Sequence, residues 1–197
     1  MNSTVKNVLC LTLITVVAGF GLGYVYDITK LPIAQMEENT KLAAYRSVFP
    51  EAAGFSDCIE GYEGGTSVDG FEGITADSVV CALDTSGATI GYVMNITTKQ
   101  GYGGDITISM GLDSQGTVKG VEILDISETA GLGMKAKESK FRDQFKDKAV
   151  TAFAYTKTGA TSDFEIDAIS GATITTKAVV NAVNSGLALF NTLGGAR

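Results

Sequence analysis

The pattern of apolar and polar positions divides the 197-residue chain into one unbroken apolar stretch near its start and a longer remainder of shorter periodic segments. From Val8 to Tyr26 every residue is apolar, aromatic, Gly, Cys or Thr, and Asp27 is the first charge beyond. As a helix this stretch spans about 28 Å, close to the hydrocarbon thickness of a bilayer. A single-pass transmembrane anchor over residues 8–26 is expected, preceded by a short tail over residues 1–7 and retained rather than cleaved as a signal peptide. Gly19 and Gly23 form a small-residue notch that suits close approach of a second membrane helix. Residues 27–36 contain Pro32 and read as an exit linker.

The remainder, residues 37–197, reads as one domain. Leu42, Tyr45 and Phe49 share a helical stripe that Pro50 ends, and residues 51–78, rich in Gly, Ser, Thr and acids, suggest irregular structure around short elements. Val79–Leu83 and Thr89–Ile96 read as strands joined by a turn over Asp84–Gly87. Ile106, Ile108 and Met110 alternate with polar positions, and a turn over Asp113–Gly116 leads into a strand over Thr117–Ile126. Helical spacing returns at Phe141 and Phe145, predicting an amphipathic surface helix. A last helix is predicted from near Thr175 to about Thr192, its apolar side made by Val179, Val180, Val183, Leu187 and Phe190. Antiparallel strands followed by packed helices, without βαβ regularity, give the class α+β.

Charge and composition narrow the chemistry. The 22 acidic residues outnumber the 15 basic ones, and no basic run is interleaved with aromatics, so no nucleic-acid partner is expected. There is no His, and Cys10, Cys58 and Cys81 show no paired spacing, so no metal site and no His-based catalytic relay is expected. Cys58 and Cys81 suit either a disulfide or two small buried side chains. Leu9 before Cys10 argues against a lipidated cysteine. Lys6 on one side of the anchor and Lys30, Lys41 and Arg46 on the other leave orientation undecided by charge.

Three similar tetrapeptides stand at Ser86–Thr89, Thr158–Thr161 and Ser170–Thr173. Only the third has a carboxylate three residues ahead, Asp167, and a long helix directly after it. There Gly171 lets a bulky group approach the backbone, Ala172 keeps the neighbouring side chain small, and Thr173 presents a hydroxyl at a helix mouth. The unpaired N–H groups and dipole of that mouth favour a phosphate, bound or esterified. A plain polar loop with Thr175 as helix cap fits the same residues.

The run Asp167-Ala168-Ile169-Ser170-Gly171-Ala172-Thr173 resembles the flavinylation motif of the G subunit of Rnf electron-transport complexes and of the related C subunit of the sodium-pumping NADH:quinone reductase. Two further stretches resemble the same family. Gly101-Tyr102-Gly103-Gly104 is similar to its glycine-rich segment before a strand, and Glu128-Thr129-Ala130-Gly131-Leu132-Gly133 to its Glu-Thr-Pro-Gly-Leu-Gly loop. This chain departs from the pattern at Ala130, where the family has Pro, and at Ser127, near a position where many members have His.

The resemblance implies FMN covalently attached to Thr173 through a phosphoester, with Thr175 and Thr176 as lower-ranked hydroxyls. It implies that Leu132, Tyr102, Gly103 and Gly133 lie near the flavin, that Glu128 and Thr129 fix the loop, and that no residue is itself catalytic. A separate FAD-dependent, magnesium-using flavin transferase would install the group, reading Asp167 and Ser170. The resemblance further implies an electron-relay flavoprotein, modified as a phosphoprotein, among the integral and peripheral subunits of an Rnf-type ferredoxin:NAD oxidoreductase complex. That complex is coupled to sodium or proton translocation, with the folded domain outside the cytoplasm. Two other readings remain open from the residues: an anchored, non-redox binding module, and an independent extracytoplasmic reductase.

Overall fold

The computed structural model describes residues 3–57 and 64–193. They divide into two compact units, Met1–Lys41 and Leu42–Arg197. Helix α1 runs from Ser3 to Val48 without interruption and is long and apolar enough to span a membrane. It is the N-terminal membrane-spanning helix. The linker expected over residues 27–36 is helical instead, with Pro32 inside α1. A proline in a helix interior costs about 3 kcal/mol. Strong helix formers on both sides, Leu31 before it and Ala34 to Glu38 after it, offset that cost.

The second unit is an α+β domain built on an antiparallel meander. Its strands are β3 (Ile74–Leu83), β4 (Thr89–Thr98), β5 (Ile106–Asp113) and β6 (Val118–Ile126), paired in that order. The short strands β1 (Gly54–Ser56) and β2 (Thr66–Ser67) pair with β3. Two of the connecting turns share one device. Asp84 Oδ1 accepts the N–H groups of Ser86 and Ala88 at 2.8 and 2.9 Å, and Asp113 Oδ1 accepts those of Gln115 and Thr117, both at 2.9 Å. Each turn is completed by a glycine at φ +83°, Gly87 and Gly116, a conformation that side chains with a Cβ resist.

Both faces of the sheet are covered. Helix α3 (Thr173–Thr192) lays Val179, Val180, Val183, Leu187 and Phe190 against Met94, Ile96, Ile108 and Met110 in the main core. The approach is close: a Cβ on Gly186 would lie 2.2 Å from Met110 Sδ. On the other face the last turn of α1 contributes Tyr45 and Val48, followed by Phe49, to a second cluster with Val80, Ala82 and Val93. Gly91 and Gly111 make room for it. A Cβ on the first would sit 2.5 Å from the Phe49 ring, and one on the second 2.6 Å from the Val48 carbonyl oxygen. Leu42, expected on the same stripe, is exposed instead.

Between β6 and α3 the chain winds through short pieces. The amphipathic helix expected around Phe141 and Phe145 is broken into α2 (Ser139–Arg142) flanked by single turns at Gly133–Lys137 and Asp143–Phe145. Both rings are buried rather than lying along a surface helix, stacking edge to face with each other at a centroid distance of 5.7 Å, and Phe145 stacks in the same way on Phe153 at 5.1 Å. A parallel pair that the sequence pattern did not reveal follows, β7 (Ala154–Thr156) and β8 (Glu165–Asp167). Cys81 is buried in β3, whereas Cys58 lies outside the described residues, so their pairing is not described.

Candidate functional site

The site is built where β8 turns into α3. The helix begins at Thr173, two residues before the expected start, with Ala172 as a cap that offers no side-chain hydrogen bond. The turn ahead of it is closed by its own groups. Ala172 N–H donates to the Ile169 carbonyl at 2.9 Å, Ile169 N–H donates to Thr176 Oγ1 at 3.0 Å, and Thr176 Oγ1 donates to the Ala172 carbonyl at 2.9 Å. Ile169 and Ala172 are thereby drawn into the core, and the hydroxyl of Thr176 is fully engaged. Thr173 is left half-buried on the first turn.

Two loops come up beside that turn. In the first, Gly101–Gly104, Tyr102 N–H donates to Glu128 Oε1 at 2.7 Å. A Cβ on Gly103 would lie 2.3 Å from the Ser127 carbonyl oxygen, so this loop rests directly on the start of the second. In the second, Thr129 closes a tight turn by accepting Leu132 N–H at 3.1 Å and Met134 N–H at 3.2 Å on its carbonyl. Gly131 at φ +76° permits it.

Together these three stretches enclose a cleft of about 550 Å³ lined by Tyr102, Glu128, Thr129, Leu132, Gly133, Gly171, Ala172, Thr173, Ile174 and Thr175. The chain thus gathers eight of the eleven residues expected at the site on one concavity. Gly103 supports the cleft from behind without lining it. Asp167 and Ser170 face away, bordering a separate depression of about 300 Å³ with Lys135, Lys140 and Gln144. Asp167 Oδ1 accepts Ala160 N–H at 2.5 Å, and its backbone N–H donates to Gln144 Oε1 at 2.6 Å.

Ile174 is a lining residue that sequence reasoning missed, and Thr175 one that it named only as a cap or an alternative hydroxyl. Ile174 stands off the buried stripe of α3 and is 52% exposed, which is the one signal the sequence carried. Thr175, read as a cap or as an alternative hydroxyl, is inside the first turn and 1% exposed.

The cleft combines room for a small ligand, apolar walls and a helix mouth that suits an anion. Its volume lies within the range of small-ligand sites, about 300–1,000 Å³. Tyr102, Leu132 and Ile174 give it exposed apolar side chains for a flat ring. The first N–H groups of α3 have no partner within the helix and suit a phosphate. Gly171 adopts φ +78°, and a Cβ there would come within 3.0 Å of Leu132 Cδ2, narrowing the space between ring wall and helix mouth. Among the described residues no cluster suited to a metal ion is found.

Residues 101–188 match the FMN-binding domain family, and every residue of the cleft lies inside that range. The chain is 31% identical over 191 residues to the G subunit of the Na(+)-translocating ferredoxin:NAD(+) oxidoreductase complex of Acetobacterium woodii, covering 94% of this chain and 90% of that protein. It is 31% identical over 181 residues to the G subunit of an ion-translocating oxidoreductase complex of Methanosarcina acetivorans, covering 91% and 90%. The fold is similar to that of NqrC from Shewanella oneidensis, with a TM-score of 0.51 at 20% identity over 74% of this chain and 71% of that one. It is also similar to the C subunit of the Na(+)-translocating NADH-quinone reductase of Parabacteroides distasonis, with a TM-score of 0.50 at 26% identity over 58% and 61%. Shared length, shared domain and shared fold place the chain in one family: it belongs to the membrane-anchored FMN-binding G subunits of Rnf-type complexes and their NqrC-like relatives.

Proposed function

We propose that the chain is an electron-relay subunit of an Rnf-type membrane complex and carries FMN through a phosphoester on Thr173. The observation that supports this most is the convergence of three separate stretches, around Tyr102, around Leu132 and at Thr173, on one cleft at a helix mouth. Leu132 and Tyr102 flank the ring, the first turn of α3 receives the phosphate, and Glu128 holds the Tyr102 loop in place. When bound, FMN supplies reversible electron acceptance. The protein's own contribution is position, exposure and retention.

Attachment is a single group transfer from FAD carried out by a flavin transferase. The Thr173 Oγ1–P bond forms on the flavin-side phosphorus, the pyrophosphate P–O bond breaks, AMP leaves, and the hydroxyl proton passes to a base of the transferase. The chain has no His to act as that base. Asp167 and Ser170, on the neighbouring depression, are the motif side chains available for the transferase to read.

Relatives named as sodium-translocating and as proton-translocating complexes both match this chain, and the coupling ion is one of the two. The stretch Val8–Tyr26 carries no charged side chain, so translocation belongs to partner subunits. The domain stands outside the cytoplasm.

The test is in-gel flavin fluorescence of the denatured chain, purified from a host that has the transferase, followed by mass mapping of the peptide that contains Thr173. An FMN adduct on Thr173 is expected. Complete loss of the chromophore on denaturation, or an unmodified chain, overturns the reading in favour of an anchored non-redox module. An adduct on Thr89, Thr161 or Thr175 overturns the site.

A further inference from the structure

Helix α3 reaches the opposite wall of the cleft as well as its floor. Two turns beyond Thr173, Asn181 Nδ2 donates to Gln100 Oε1 at 2.7 Å. The other end of the Gln100 amide is also engaged, Nε2 donating to the Glu72 carbonyl at 2.8 Å, so its orientation is fixed. Gln100 immediately precedes the Gly101–Gly104 loop, whose Tyr102 is 73% exposed at the cleft rim. Apart from its packing on Ser127, that loop has few ties: its glycines supply no side chains, and among the described residues the one side-chain bond to its backbone is that of Glu128 to Tyr102 N–H.

We propose that Asn181 is a positioning residue which, through Gln100, ties the Tyr102 wall to the same helix that presents Thr173 and so fixes the width of the cleft. Neither Asn181 nor Gln100 lines the cleft, and both are half-buried. Losing the link leaves Gln100 held by the Glu72 carbonyl and by its own N–H on Thr98 Oγ1, and removes the tie between this end of the loop and α3. The wall then moves relative to the helix mouth while the sheet stays intact. The statement about the flavin rests on the reading of Thr173 as the attachment site; the statement about the loop does not.

A second amide on the same helix provides an internal control. Asn184 clamps the backbone of Phe153, accepting its N–H at 2.7 Å and donating to its carbonyl at 2.9 Å. Its loss removes two hydrogen bonds to α3 without touching the cleft wall.

The experiment compares the full-length chain with Asn181→Ala, Gln100→Ala and Asn184→Ala in two states. In the flavin-free state, obtained by adding Thr173→Ala to each, amide hydrogen exchange is followed over residues 101–104. Asn181→Ala and Gln100→Ala are expected to speed it roughly five- to tenfold, the effect of one lost hydrogen bond, with β4 and β5 unchanged; Asn184→Ala leaves it as in the parent. In the flavin-loaded state, with the adduct verified by mass, the first two variants are expected to lower flavin fluorescence anisotropy and the third to leave it unchanged. Unchanged exchange over 101–104 in both Asn181→Ala and Gln100→Ala overturns the proposal, as does an equal effect from Asn184→Ala. If Asn181→Ala does not fold, Gln100→Ala decides from the loop side. Absence of an adduct on the parent chain overturns the attachment reading instead, and the exchange result still stands on its own.

Discussion

Gly133 and Glu128 meet with no room for a side chain between them: a Cβ on the glycine would lie 2.7 Å from both Cβ and Oε2 of Glu128. The same Cβ would sit 2.7 Å from Thr175 Oγ1 on the first turn of α3. Gly133→Ala must therefore displace Glu128, which is 9% exposed and holds Tyr102 N–H. Overpacking of this kind costs about 1–3 kcal/mol. Denaturant unfolding of the variant is expected to show that loss, together with a change in flavin fluorescence; an unperturbed midpoint contradicts this packing.

Thr173 and Thr176 separate attachment from stability. Thr173→Ala is expected to abolish the FMN adduct by intact mass while shifting stability by no more than about 0.5 kcal/mol, because the side chain is half-buried on the surface turn. Thr176→Val keeps the side chain's shape but leaves Ile169 N–H without its acceptor. It is expected to cost about 1–3 kcal/mol and to leave the adduct in place. Loss of the adduct in a folded Thr176→Val chain would move the attachment site.

On the far side of the sheet, Gly111→Ala places a Cβ 2.6 Å from the Val48 carbonyl and 3.3 Å from the Phe49 ring. The backbone there has no flexible end to yield, so a destabilisation of about 1–3 kcal/mol or more is expected. Thermal unfolding of the whole chain in detergent measures it. The cleft is on other elements, and the adduct is expected to persist wherever the chain folds.

Glu165 gives the domain one acid-sensitive turn. The Thr161 backbone N–H and then its hydroxyl, at 2.7 and 2.8 Å, hold the carboxyl below its ordinary range, so the charged form is favoured in the folded chain. A depressed carboxyl contributes stability above its unfolded value and loses it as the pH falls through the folded one. Protection of the Thr161 amide is expected to be full at neutral pH and to disappear on that acid limb. In Glu165→Gln the acid step should vanish, and a step that survives assigns the effect to another group.

Much of the fold was legible because it rests on short-range chemistry. Asp84 with Gly87, and Asp113 with Gly116, mark turns by bonds a sequence can announce, and the strands between them follow. The buried stripe of α3 from Val179 to Phe190 was equally plain. Pro32 was not, because its local preference for breaking a helix is outweighed by its neighbours over a 46-residue element. Phe141 and Phe145 have helical spacing but are turned inward by a third ring, Phe153, that lies outside any local window. At the site, motif resemblance pointed to Tyr102, Leu132 and Thr173, and the cleft unites them. It grouped Asp167 with them by sequence neighbourhood, whereas β8 turns that side chain toward Ala160. Ile174 escaped notice because, although it stands off the apolar stripe of α3, nothing local distinguishes an apolar residue that lines a cleft from one on open surface.

The knot of bonds among Ile169, Ala172 and Thr176 has a consequence for timing. Protein groups alone hold this turn in shape, so its architecture does not depend on a bound group. On the reading proposed above, the chromophore would be added to a scaffold that these bonds have already finished.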